Sequence, residues 1–97
     1  MSAAPKYILH SPLLDENLLE ECVETTLREN GSLIAVVGMG CERIEDIIDE
    51  IIVGDAQYEE RRFIATTSHP DESYEEVLEF VQLYDFGQGG VIHEVRL

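Results

Sequence analysis

The sequence predicts an α/β fold: a small three-layer sandwich, Rossmann-like or flavodoxin-like, with the element order β-α-β-α-β-α-β. Short apolar runs alternate with amphipathic segments, which is typical of strands joined by helical crossovers in a parallel sheet. The run SLIAVVG at residues 32–38 is continuously apolar, as in a strand that is covered on both faces. A chain of 97 residues suits one domain. We therefore expect a single domain over residues 1–97 with a four-stranded, mostly parallel sheet.

The first strand and the first helix are marked by their boundary residues. The short apolar run KYILH at Lys6–His10 lies between two prolines and reads as a strand. The first helix is predicted over residues 15–30, where apolar side chains recur every three or four positions. Either Asp15 or Ser11 is expected to cap it, and the pair Asn30–Gly31 is expected to end it.

The second helix has the clearest pattern in the chain. Its isoleucines follow the spacing i, i+3, i+4, i+7 and i+8, which places them on one stripe of a helix. They are Ile44, Ile47, Ile48, Ile51 and Ile52. Acidic side chains occupy most of the remaining positions, and Gly54 is expected to end the helix.

The second half of the chain repeats the alternation of strand and helix. Residues 61–67, RRFIATT, are predicted as the third strand, and residues 71–83 as the third helix. The last strand, over residues 91–97, alternates between two sets of side chains, as an edge strand does. Its direction is left open by the sequence, since either a parallel strand or an antiparallel edge fits the pattern.

The charge of the chain restricts its partners. Six basic residues stand against 21 acidic ones, which leaves a net charge of −15. Such a chain repels phosphates, so the sequence argues against binding to nucleic acid or to an anionic membrane surface. The same field favours a protein partner with a basic surface. The alternative explanation is that the acidic residues serve solubility alone.

The sequence also predicts a cytoplasmic protein. No apolar run approaches the roughly 18–20 residues that cross a bilayer, and the apolar part of the N-terminal segment is too short for a signal peptide. Cys22 and Cys41 do not form a disulfide framework, and in a reducing compartment both are expected to be free thiols.

The candidate site residues follow from the predicted sheet. Ligands of open α/β sheets bind beyond the carboxyl ends of the strands, where the amino ends of helices gather. We therefore expect the loops after the first three strands to form one rim. The residues selected in this way are His10, Gly38, Gly40, Cys41, Thr66, Thr67, Ser68, His69 and Asp71.

Three kinds of chemistry fit such a rim. Cys41 at the start of a helix could act as a nucleophile, with His69 or His10 as its base and Asp71 as the carboxylate. The same four residues could hold zinc, although they lack the close spacing of known zinc motifs, so we predict no metal. The GMG segment at residues 38–40 could bind a phosphate, but it has neither a third glycine nor a lysine.

A purely structural explanation of the same residues competes with these hypotheses. Ser68 or His69 could cap the third helix, and Ser73 with Glu76 forms the pattern of a capping box. The two glycines of GMG could simply permit a tight turn from strand to helix.

Residues 38–80 carry a pattern with a G-x-x-C segment, from Gly38 to Cys41, and a T-T-x-H-x-D-E segment, from Thr66 to Glu72. This pattern resembles an uncharacterised family of small bacterial proteins that is known only as a domain of unknown function. The chain has Ser68 and Ile44 where the resemblance implies tryptophans, which argues against an aromatic pocket. The resemblance implies no activity.

The expected function is that of a non-catalytic protein-binding or regulatory module that engages a basic partner and uses no cofactor. The alternative is an enzyme that acts on a small molecule, with a Cys/His site at the carboxyl ends of the parallel strands. A homodimer through the C-terminal edge strand is a further expectation, since an unpaired edge can pair with its copy.

Overall fold

The structure is a computed structural model that describes residues 4–56, 64–87 and 91–97. Its strands are β1 Lys6–Ser11, β2 Leu33–Gly38, β3 Ala65–His69 and β4 Ile92–Val95. Its helices are α1 Leu19–Arg28, α2 Cys41–Ala56 and α3 Tyr74–Gly87, and a 3-10 turn, Glu16–Leu18, leads into α1. The predicted order β-α-β-α-β-α-β is confirmed.

All four strands are parallel and follow the spatial order β3-β2-β1-β4. The direction of the last strand, which the sequence left open, is therefore parallel. β1 and β2 occupy the centre of the sheet, which explains why their residues are apolar on both faces. Helices α1 and α2 cover one face and α3 covers the other, so the molecule has the three layers that the sequence predicts.

Alternation along β1 divides the core between these two faces. Tyr7 and Leu9 pack with α1 and α2, whereas Ile8 packs with α3. The isoleucine stripe of α2 faces the sheet as expected, with its first, third and fifth members buried and the other two half-buried. On the opposite face, Val77 and Val81 of α3 are fully buried.

The third strand lies two residues further along the chain than its prediction. The sequence favoured residues 61–67, of which 61–63 lie outside the described residues, and β3 runs over Ala65–His69. Pairing with β2 continues to the position where Val37 meets His69, and Pro70, which has no N–H to donate, follows directly. The polar residues after Thr67, which read as a loop, thus belong to the end of the strand.

The helix boundaries also differ from their predictions. α2 continues past Gly54, because one glycine weakens a helix without ending it. The third helix begins three residues after the predicted start, because Ser73 caps it by accepting a hydrogen bond from the Glu76 N–H. No helix in the described ranges is both long enough and apolar enough to span a membrane.

Candidate functional site

The loops that follow β2 and β3 lead to opposite faces of the sheet. The loop after β2 leads to α2 on one face, and the loop after β3 leads to α3 on the other. A crevice between such loops is the usual ligand site of parallel sheets. All strands point the same way, so the expected gathering of the loops at one edge of the sheet holds.

Two histidines lie in one row at this edge. His10 of β1 pairs with Val37 of β2, which in turn pairs with His69 of β3. Both rings are on the α3 face, since His10 stacks on Tyr74 at 5.7 Å between ring centroids and His69 packs against Phe80 at 5.1 Å. Neighbouring strands lie about 4.8 Å apart, so the two histidines are separated by roughly 10 Å.

His69 forms the centre of a hydrogen-bonded chain. Its Nε2 lies 2.8 Å from Thr67 Oγ1, and its Nδ1 lies 2.8 Å from Glu72 Oε1. In the tautomer whose Nδ1 donates to the Glu72 carboxylate, Nε2 accepts the proton of the Thr67 hydroxyl. The residue is buried, with 6% exposed. The order hydroxyl, imidazole, carboxylate is that of a nucleophile, its base and the group that orients the base.

His10 belongs to a separate, more exposed cluster. Its Nε2 lies 3.0 Å from Glu94 Oε1, and Tyr74 donates a second hydrogen bond to the same carboxylate. These bonds, first from His10 and then from Tyr74, lower the pKa of Glu94. The reciprocal effect of the Glu94 carboxylate raises the pKa of Tyr74. Arg96 lies nearby, with Nη2 3.8 Å from Glu94 Oε1.

Cys41 begins the helix after β2 as predicted, but an exposed thiol at the rim, which the nucleophile hypothesis requires, is not found. This cysteine is the first residue of α2, is 1% exposed and packs in the core between the sheet and helices α1 and α2. His69 lies on the α3 face, so the sheet separates the predicted nucleophile from its predicted base. The second thiol, Cys22, is half-buried in α1, and burial raises its pKa, which disfavours the thiolate.

The remaining candidates are divided between the faces. Thr66 faces α2, where its Oγ1 lies 2.5 Å from Asp49 Oδ1, and Ser68 is on the same face. Asp71 is exposed in the turn after β3, and the carboxylate that reaches His69 is Glu72. Within the described part of the chain, no three His, Cys, Asp or Glu residues are grouped as metal ligands.

The glycines of the β2–α2 loop are required by its conformation. Gly38 has φ +107° and Gly40 has φ +76°, both in the region that side chains rarely adopt. Ser11 at the end of β1 holds the loop, because its Oγ donates to the Met39 carbonyl at 2.5 Å. A turn of this kind explains both glycines without a bound phosphate.

Sequence reasoning missed three members of these clusters. Glu72 carried a signal, since it lies three residues after His69 within one polar segment. The spacing of Tyr74 in the third helix indicates a core residue and so gave no sign of a site. Glu94 carried no signal, because it meets His10 across 84 positions of the chain.

A shallow groove lies on the outer surface of α3 beside the His69 chain. It has a volume of about 290 Å³ and is lined by Glu72, Glu76, Glu79, Phe80 and Leu83. Both of its apolar side chains are accessible, with Phe80 36% and Leu83 63% exposed. The sequence of α3 contains no lysine or arginine, so no cation of the helix itself neutralises the three carboxylates.

A family model described as a domain of unknown function (DUF7684) matches residues 7–94. Comparison with curated proteins and with solved structures gives no significant match.

Proposed function

Since the chain belongs to this family of unknown function, DUF7684, we propose its function from its own geometry: it is a non-catalytic protein-binding module of the cytoplasm. It takes a basic segment of a partner protein into the groove on α3. The observation that carries the proposal is the combination of three carboxylates with two exposed apolar side chains in that groove.

The chemistry of the groove fits a lysine or arginine side chain. The aliphatic stem of either residue packs on apolar surface while its cationic head remains at the rim. In this groove Phe80 and Leu83 offer that surface, and Glu72, Glu76 and Glu79 surround it. Hydrogen bonds between a cation and a carboxylate are among the stronger ones in proteins, and the Phe80 ring adds a favourable face for the cation.

The charge of the whole chain supports the same partner. A net charge of −15 attracts a basic segment over a distance and speeds the encounter. Solubility alone would explain acidic residues anywhere on the surface. It gives no reason for Phe80 and Leu83 to line one groove together with three carboxylates.

A synthetic peptide of alternating lysine and leucine tests the groove. We expect it to bind the folded protein at about 0.15 M salt, where the screening length is about 8 Å. Glu79→Gln should weaken binding about two- to fivefold, because one cation–carboxylate contact is lost. Glu75→Gln is the matched control, since Glu75 is exposed on the same helix but does not line the groove. Equal losses in both variants would mean that the peptide senses only net charge.

The apolar half of the groove needs its own pair of variants. Leu83→Ser should weaken peptide binding about tenfold, because a leucine contributes about 1–2 kcal/mol when it is buried by a partner. Val53→Ser is the control, since Val53 is 69% exposed on α2. Undiminished binding by Leu83→Ser would contradict the proposal.

A second candidate function is that of an enzyme acting on a small molecule, and the Thr67–His69–Glu72 chain favours it. In this scheme His69 Nε2 takes the proton of the Thr67 hydroxyl, the Thr67 oxygen attacks the ester carbonyl, and the leaving alcohol receives the proton. His69 then takes a proton from water, which attacks the acyl group, and the carboxylic acid leaves as the proton returns to the Thr67 oxygen. The Cys/His form of this hypothesis is replaced, because Cys41 lies on the other face of the sheet.

Hydrolysis of p-nitrophenyl acetate tests this second candidate. Wild type should exceed both His69→Gln and Thr67→Val by about 10²-fold or more, which is the range for loss of a general base. All three proteins must be equally folded by circular dichroism. Equal rates in the three proteins would remove the enzymatic candidate and leave the binding function untouched.

A further inference from the structure

We propose that two copies of the chain form a dimer in which the free edge of β4 pairs antiparallel with its copy, in the register that sets Glu94 opposite the partner's Arg96. No strand of the described residues pairs with this edge, which lies at the end of the sheet. Two identical edges related by a twofold axis meet in the antiparallel direction.

The inner hydrogen bonds of β4 determine which residues point outward. The carbonyl of Val91 accepts from the Lys6 N–H at 2.9 Å, and the carbonyl of Leu97 accepts from the Asp15 N–H at 3.0 Å. In a parallel strand, alternate residues direct both backbone groups to the same side. The odd-numbered residues thus bond inward, and Ile92 and Glu94 of β4 present their N–H and C=O groups to the open edge. Arg96 follows β4 in the same alternation, since the next residue, Leu97, again bonds inward.

Antiparallel pairing requires that two outward residues face each other, which leaves few registers. If the twofold axis passed through Glu94, the two Glu94 residues would face each other and their like charges would repel. An axis through His93 would place Glu94 against the partner's Ile92. An axis through Val95 places Glu94 opposite the partner's Arg96, twice by symmetry, and Val95 opposite its copy. Charge complementarity selects the register centred on Val95.

Apolar surface beside this edge supports the same partner. A groove of about 480 Å³ runs between α1 and β4 and is lined by Tyr7, Leu18, Cys22, Val95 and Leu97 among others. Leu18 is 43% exposed and Leu14 is fully exposed. Leu14 lies close to the end of the chain, because the N–H of its neighbour Asp15 donates to the Leu97 carbonyl. A second copy would cover these leucines with its own, which removes exposed apolar area from both molecules.

The net charge of −15 on each copy opposes pairing only at low salt. Each molecule extends 36 × 34 × 16 Å, so the centres of two copies joined at this edge lie roughly 30 Å apart. The Debye length is about 8 Å at 0.15 M and about 30 Å at 0.01 M. We therefore expect the dimer at physiological salt and its dissociation at very low salt.

Single cysteines test the register. In a Cys22→Ser background, which removes the thiol of the same groove, Val95→Cys should oxidise to a disulfide-linked dimer. In this register the two residues at position 95 face each other at a Cα separation of about 4.5 Å, which is within the range of a disulfide. His93→Cys and Glu94→Cys should react slowly, at the rate of Val53→Cys on the outer face of α2. Faster linkage of His93→Cys or Glu94→Cys would overturn the proposed register.

Light scattering tests the pairing itself. At about 0.15 M salt the mass should approach twice the 11.0 kDa of one chain. Arg96→Glu should weaken the dimer about tenfold, because two attractive pairs become repulsive, while the circular dichroism of the monomer stays the same. A mass of one chain at every concentration, with no preference for Val95→Cys, would refute the dimer. Peptide binding in the α3 groove does not depend on this outcome.

Discussion

At the scale of single residues, Lys6 shows how a charged side chain can be part of a core. It lies on the α3 face of β1 and is only 2% exposed. Its Nζ donates to the carbonyl oxygens of Val81 at 3.0 Å and Tyr84 at 2.9 Å, near the carboxyl end of α3. A cation is favourable at that end of a helix, so Lys6 joins the last turns of α3 to the centre of the sheet.

Lys6→Met keeps most of the side-chain volume but removes both hydrogen bonds. We expect the free energy of unfolding to fall by about 1–3 kcal/mol, because buried carbonyl groups lose a donor. Urea denaturation measures this loss. The control is Arg28→Met, at an exposed position of α1, which should change stability by less than about 0.5 kcal/mol. A Lys6→Met protein as stable as wild type would show that these bonds contribute nothing.

Glu94 gives a prediction on pH. Its folded-state pKa is lowered, so its stabilising contribution is complete above the ordinary glutamate pKa and disappears as the pH falls through the folded value. Thermal midpoints of wild type and Glu94→Gln should therefore differ most near pH 7 and converge below about pH 4.5. Glu20→Gln on α1 controls for the loss of one charge. A difference that stays constant with pH would contradict the assigned hydrogen bonds.

At the scale of elements, the β2–α2 connection is the most constrained segment. A Cβ on Gly38 would collide with the carbonyl oxygen of Ser11 in the neighbouring strand, and its φ of +107° disfavours any side chain. Gly40 shares a positive φ but has more space, since the nearest atom to its Cβ position is Ser11 Oγ at 3.7 Å. Substitutions at the two glycines therefore distinguish the cost of an unfavourable backbone conformation from the cost of a steric collision.

Gly38→Ala should destabilise the protein by about 2–4 kcal/mol, because strain and collision act together. Gly40→Ala carries the conformational cost alone, about 1–2 kcal/mol. Chemical denaturation of both variants measures the difference. Equal losses would mean that the loop moves away from Ser11 without cost.

At the scale of the whole molecule, the acidic surface opposes its own folding. Most of the 21 carboxylates repel one another, and added salt screens this repulsion. The thermal midpoint should rise by several degrees between about 0.01 M and 0.3 M NaCl, as a change of about 1 kcal/mol implies.

A variant with less charge tests the origin of this effect. Glu20→Lys with Glu50→Lys changes the net charge from −15 to −11 and should flatten the salt dependence. Measurement at two protein concentrations separates a contribution from pairing, which depends on concentration. A midpoint that falls with salt would show that specific ion pairs outweigh the general repulsion.

The sequence by itself determined the order of the elements, the inward stripe of α2 and the burial of β2 on both faces. Periodicity and composition are local properties of the sequence, so they do not depend on how the elements pack together. The capping box of Ser73 and Glu76 is likewise confirmed, because its partners lie within one turn.

Only the tertiary structure decided which side chains share a face. A strand that is apolar throughout has no alternation to tell one face from the other, and a shift of one residue reverses them all. For this reason the sequence assigned Cys41 and His69 to one rim but left open whether they are close, and in the structure the sheet lies between them. The hydrogen bond between His10 and Glu94 likewise depends on the tertiary structure, because the chain crosses the sheet after β3 and pairs β4 with β1.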